Sequence, residues 1–185
     1  MLDFEGLYKN NDQNILVFSG FEEEALHSVE CFDIAAGVWK EAGSLHIART
    51  KFSAIETPDN RILLCGGKAL GGASRDEVEE YNVENESSSF LPLRLREAKH
   101  GFGSCIFEGQ LFLCGGNNGE ILNKTERLDL LSMSWHSLPP LLERRDELAV
   151  VVGPDRCVYA LGGFGGNRNA TLRTVERFDV HTQDW

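Results

Sequence analysis

The chain has 185 residues, 42% apolar and 25% charged, and its 18 Lys and Arg against 29 Asp and Glu give a formal net charge of −11. That balance suits a folded globular protein and excludes a wholly disordered one. The acidic excess argues against a nucleic-acid binder, whose affinity rests on Lys and Arg neutralising phosphates, and is compatible with a basic partner or with simple solubility.

In chain order, the N-terminal MLDFEGLYKNN lacks the basic flank and apolar centre of a signal peptide. No later segment reaches the ~20 consecutive apolar residues of a membrane helix, so the chain is expected in the cytosol, with the nucleus as alternative. The first apolar run is ILVFSG at 15–20, followed by VECFD at 29–33, then Trp39 and Arg49. The same series returns as ILLCGG at 62–67, VEEYN at 78–82, Phe90 and Lys99, and again as LFLCGG at 111–116, TERLD at 125–129, Trp135 and Arg145. A fourth copy runs YALGG at 159–163, VERFD at 175–179 and Trp185. The last glycines, Gly20, Gly67, Gly116 and Gly163, stand 47, 49 and 47 residues apart. Such a period marks a repeat architecture.

Each unit reads as four short strands. FSAIE, RILLCGG, EVEEYNV and SFLPL are apolar or alternating runs separated by turn signals such as TPDN at 57–60 and EGQ at 108–110, and no helical period competes. The fold class is therefore all-β. Runs such as ILLC are apolar on both faces, as in strands covered from two sides, so a unit must be stabilised by stacking on its neighbours.

The recurring residues are expected to be structural. The doublets Gly66-Gly67, Gly115-Gly116 and Gly162-Gly163 fit strands too close to a neighbour for a Cβ, and no GxxxxGK[ST] points to a phosphate loop. Trp39, Trp135 and Trp185 are expected to wedge between adjacent sheets. Glu30, Glu79, Glu126 and Glu176 recur in one place, as do Arg49, Lys99 and Arg145, and together they predict repeated buried ion pairs or backbone hydrogen bonds that fix the geometry. Cys31, Cys65, Cys105, Cys114 and Cys157 are odd in number and lack a Cys-x-x-Cys pair, which predicts buried thiols in a reducing compartment. The five histidines have no metal-ligand spacing and no GxSxG elbow occurs, so neither enzyme activity, cofactor nor metal is expected.

The glycine doublet, Glu-aromatic segment, Trp and basic residue in this order resemble the kelch motif from about Phe4 to Trp185, with departures at Ser19, Phe90, Leu128 and Lys99. The resemblance implies a kelch-type β-propeller of four-stranded antiparallel blades, here with repeats at about 4–50, 51–99, 100–146 and 147–185. The last blade is then incomplete, and the chain is expected to be part of a larger ring of about six blades. In similar proteins the loops after the doublet and around the basic residue form the partner-binding surface, and some ligase adaptors use the position two residues beyond the basic one. Carried onto this chain, that surface includes Lys51, Lys68, Arg75, Asn117, Asn118, Glu147, Phe164 and Arg168. The implied function is protein binding, foremost as the substrate-recognition propeller of a BTB-BACK-kelch adaptor for a cullin-RING ubiquitin ligase. Actin binding is the alternative, with a kelch-scaffold metal oxidase or lyase behind it; neither membrane nor nucleic acid is an expected partner.

Overall fold

The computed structural model describes residues 6–10, 14–19, 26–59, 61–166 and 170–185, without the side chains of 6–10. The described residues contain strands and turns and no helix. The chain divides into two compact units, Met1–Ala98 and Lys99–Trp185.

In the first unit, strands β1 (Gly6–Asn10), β2 (Asn14–Phe18), β3 (Ser28–Asp33) and β4 (Val38–Ser44) form an antiparallel meander, sheet 1. A two-residue strand β5 (Arg49–Thr50) leads to sheet 2, made of β6 (Ser53–Glu56), β7 (Ile62–Cys65), β9 (Glu77–Asn82) and β10 (Ser87–Arg94). Between β7 and β9 lies the short β8 (Lys68–Ala69), which pairs with β5. The outer strands β4 and β10 touch in one parallel pairing, Ser44 with Ser87. Alternation along β3 sends Val29 and Cys31 inward, where Leu16, Phe18 and Ala42 of sheet 1 meet Phe52, Ile62, Leu64 and Tyr81 of sheet 2. Each Val, Leu, Ile or Phe among them contributes about 1.5–3 kcal/mol by leaving water. Phe18 and Tyr81 meet edge to face at 5.0 Å, and the Tyr81 hydroxyl donates to the Ala42 carbonyl at 2.5 Å.

In the second unit, β11 (Gly103–Phe107), β12 (Gln110–Cys114), β13 (Thr125–Asp129) and β14 (Ser134–Leu138) form sheet 3. Sheet 4 holds β15 (Ala149–Val152), β16 (Val158–Leu161) and β17 (Val175–Phe178), followed by one further pairing, Asp179 with Asp184. Phe112 and Cys114 of sheet 3 pack on Val150, Val158, Ala160 and Phe178 of sheet 4. The doubly apolar runs behave as expected: every residue of β7 is buried, as is every residue of β12 after Gln110.

Of the tryptophans expected to wedge between sheets, Trp185 does so and Trp39 does not. Trp185 lies between sheets, its ring 5.1 Å from Phe178 and its indole N–H donating to the Pro139 carbonyl at 2.8 Å. Trp135 is half-buried on β14. Trp39 does not wedge between sheets 1 and 2: it is 52% exposed and packs on Phe32 of its own sheet, because the register Phe32–Trp39 places both on the face turned away from sheet 2.

Candidate partner-binding face

Two kinds of contact recur at the candidate loops within each unit. The first is the junction that ends each inner strand. Cβ atoms added at Gly67 and Gly116 would stand 2.8 Å from the Phe52 Cβ and 2.8 Å from the His100 carbonyl, and both residues hold φ near +100°, which L side chains disfavour. Space and backbone conformation therefore both demand glycine. The first repeat has Ser19 where the others have their first glycine, and the structure accommodates it with a hydrogen bond: the Ser19 hydroxyl donates to the Arg49 carbonyl at 2.7 Å.

The second contact is the ion pair. Arg49 reaches Glu79, Lys99 Nζ lies 2.8 Å from Glu126 Oε2, and Arg145 Nε lies 2.9 Å from Glu176 Oε1. All six groups are buried. In each pair the cation comes from the segment entering a sheet and the carboxylate from that sheet's third strand. The arginines do more, donating to the first glycine of the doublet at Gly66 (3.1 Å) and Gly162 (2.8 Å). Burial lowers the Arg49 pKa, and the Glu79 carboxylate pulls it back up. The same glutamates accept from the incoming backbone: His46 N to Glu79 at 2.6 Å and Leu142 N to Glu176 at 2.5 Å. Glu30 differs, standing exposed on β3.

On this frame sit the loops. Thr50 pairs with Lys68, His100 with Asn117, and Asp146 with Phe164, so the residue after the basic one always meets the residue after the doublet. Lys68, Asn117 and Phe164 thus occupy one structural position. Each loop closes on the same backbone bond, Arg75 N to Gly67 O, Leu122 N to Gly116 O and Leu172 N to Gly163 O, all 2.8 Å. Between those fixed ends the chain differs in length and chemistry.

The positions two beyond the basic residue are also equivalent. Lys51, Gly101 and Glu147 are all left-handed, with φ of 52°, 64° and 53°. Glu147 N donates to the Gly101 carbonyl at 2.7 Å, joining two of these positions directly. Asn117 is tied in by its amide, which donates to Asp146 Oδ2 at 3.0 Å. Arg75 lies 3.7 Å from Glu77, Asn118 is exposed, and Phe164 is 40% exposed. Arg168 lies outside the described residues.

Sequence reasoning missed Asp146 and His100, both buried beneath this face and both paired with loop residues. Their signal is available in the repeat, since they follow Arg145 and Lys99 directly. Among the described residues no group of three His, Cys, Asp or Glu is placed to hold a metal ion. The cysteines are free thiols, and burial pushes Cys65 and Cys105 up to about 12.

Comparison with known proteins agrees with this repeat. The Kelch motif matches residues 98–142 and 148–185. Kelch-like protein 23 of Homo sapiens is 28% identical over 121 residues, 65% of this chain and 20% of that protein. An F-box/kelch-repeat protein of Arabidopsis thaliana is 26% identical over 108 residues, 57% of this chain and 28% of its own length. The Kelch repeat and BTB domain-containing protein 2 of Ectromelia virus (strain Moscow) is 26% identical over 106 residues, 57% and 19% respectively. The chain thus spans about a fifth to a quarter of these relatives. With its sequence period and its antiparallel sheets, the chain carries Kelch motifs at residues 98–142 and 148–185, the four-stranded unit of β-propellers, and is similar to the kelch-like proteins.

Proposed function

We propose that this chain is a protein-interaction module whose post-doublet loops and left-handed positions grip a partner, and that it serves as the substrate-recognition part of a cullin-RING ubiquitin ligase adaptor. One observation carries the binding reading. Loops of different length and composition spring from one repeated hydrogen bond, with Lys68, Asn117 and Phe164 at the same place and Lys51, Gly101 and Glu147 at another. A rigid frame with interchangeable loops is how folds carry recognition.

The ligase role draws on the relatives' names, which join kelch repeats to BTB and F-box domains. The reading is of binding, with no chemistry on the chain itself, in a cytosolic or nuclear setting that keeps five thiols reduced.

Affinity capture with mass spectrometry tests it. The wild-type chain is expected to retain a specific protein that Lys51→Glu or Phe164→Ala releases at unchanged melting temperature, and a cullin should co-purify when the chain is part of its full-length protein. Retention of the same proteins by both variants would defeat the binding face. Loop-dependent capture without a cullin would defeat the ligase role alone.

A further inference from the structure

The acidic side chains buried among the described residues are Glu79, Glu126, Asp146 and Glu176. Each glutamate meets an Arg or Lys. Asp146, only 7% exposed, has no such cation among the described residues. Its Oδ2 accepts from the Asn117 amide at 3.0 Å, and its Oδ1 is enclosed without a hydrogen-bond partner. Buried charges are ordinarily paired or fully hydrogen-bonded, so this carboxylate is under-compensated.

The orphan oxygen lies within the second unit, where the segments entering sheets 3 and 4 meet. A Cβ placed on Gly101 would stand 2.1 Å from Asp146 Oδ1 and 3.5 Å from Glu147 Cγ, so two acidic side chains flank one point that a side chain there would fill. Glu147 is exposed, and its N–H is fixed on the Gly101 carbonyl. Asp146 also exchanges both backbone hydrogen bonds with Phe164, which is 40% exposed. Arg144, on the same segment, is engaged elsewhere: it donates to the Ile121 carbonyl at 2.9 Å and lies 3.7 Å from Glu120. At the other two junctions the corresponding pairs are Thr50-Lys51 and His100-Gly101, so the acidic pair is particular to this one.

We propose that this point receives a basic side chain of the partner, an Arg or Lys whose charge lies against Glu147 and Asp146 and which packs on Phe164. The inference rests on the binding reading above and names the chemistry of the guest, a basic peptide segment. Carboxylates bind such groups through charge-assisted hydrogen bonds, and an aromatic face adds cation–π attraction. The net charge of −11 draws basic segments toward the chain. The free protein holds a carboxylate that nothing neutralises, and the bound guest supplies the missing cation.

Panning a phage-displayed library of random peptides on the immobilised full chain tests this. The wild type is expected to enrich peptides that share an Arg or Lys. Fluorescence anisotropy of one such peptide should show binding weakened about tenfold or more by Asp146→Asn and about threefold by Glu147→Gln. Asp146→Asn should melt no lower than the wild type, because it removes the charge while keeping the shape and the acceptor for Asn117. That readout separates recognition from a merely structural role, for which the melting temperature would fall and peptide affinity would hold. Glu147 is exposed and gives a second probe should Asp146→Asn not fold. Enrichment of acidic or uncharged peptides, no enrichment, or a basic peptide bound equally by both variants overturns the proposal. Acidic or uncharged peptides that Phe164→Ala releases would overturn the basic guest alone and leave the loop face standing.

Discussion

Arg145 and Glu176, 31 residues apart in sequence, meet as an enclosed pair in which Arg145 also donates to the Gly162 and Thr174 carbonyls and to the Thr174 hydroxyl. The pair therefore joins the segment entering sheet 4 to two of its strands. Removing Arg145 leaves the Glu176 carboxylate buried with only the Leu142 and Glu143 backbone N–H donors, and removing Glu176 leaves the buried Arg145 with the half-exposed Glu143 as its remaining carboxylate. Arg145→Ala and Glu176→Ala should each destabilise by about 3–5 kcal/mol, and the double variant by less than the sum. Chemical denaturation of the three proteins measures this, and unchanged midpoints would refute it.

Lys99 fills the same place with a weaker donor. Its single ammonium meets Glu126 and lies 5.5 Å from the Phe102 ring, whereas a guanidinium at this place donates to the first glycine carbonyl as well. Lys99→Arg is expected to stabilise the protein by about 1 kcal/mol through an added hydrogen bond to the Gly115 carbonyl. A raised melting temperature supports the equivalence of the three junctions, and a lowered one denies it.

Gly116 and Gly37 separate conformational strain from crowding. Both have positive φ, but nothing lies within 4 Å of a Cβ at Gly37, while one at Gly116 meets the His100 carbonyl and the Phe102 side chain. Gly37→Asn should cost under about 1 kcal/mol, since Asn tolerates the left-handed region. Gly116→Ala should cost clearly more, at least about 2 kcal/mol, because strain and overpacking add. Equal losses in denaturant midpoint would show that crowding is unimportant.

Two surface aspartates, the half-buried Asp129 and the exposed Asp155, give the acid limb of stability. Backbone and side-chain donors, Ser132 first, hold Asp129 down to about 2, and Arg177 with Tyr159 does the same for Asp155. In the unfolded chain both return to about 3.9. A folded pKa below the unfolded one stabilises above the unfolded value and loses that contribution as pH falls through the folded one. Urea midpoints should therefore drop between about pH 5 and pH 2, and Asp129→Asn should flatten part of that slope. A variant with the wild-type slope would remove Asp129 from this role.

Much of this organisation is legible in the residues. The period, the doublets and the Glu-basic series predict the strands and the buried pairs, because local turn chemistry and an unavoidable need for charge compensation both act through sequence. The environment of Trp39 is not legible, since exposure depends on which face is covered and its spacing from Glu30 equals that of Trp185 from Glu176. Nor is the left-handed backbone at Lys51 and Glu147, where neither residue type favours it and Gly101 alone hints at the conformation. The loops read as irregular, yet begin with short ladders set by tertiary contact, as between β5 and β8.

Because each buried pair takes its cation from one repeat and its carboxylate from the following one, a gene that duplicates or loses a whole period leaves the interior neutral. Arg49 would find, in whatever unit came next, a glutamate at the same address. A break elsewhere in the period would strand a charge in the interior, so this electrostatic handover favours growth and shrinkage by entire modules.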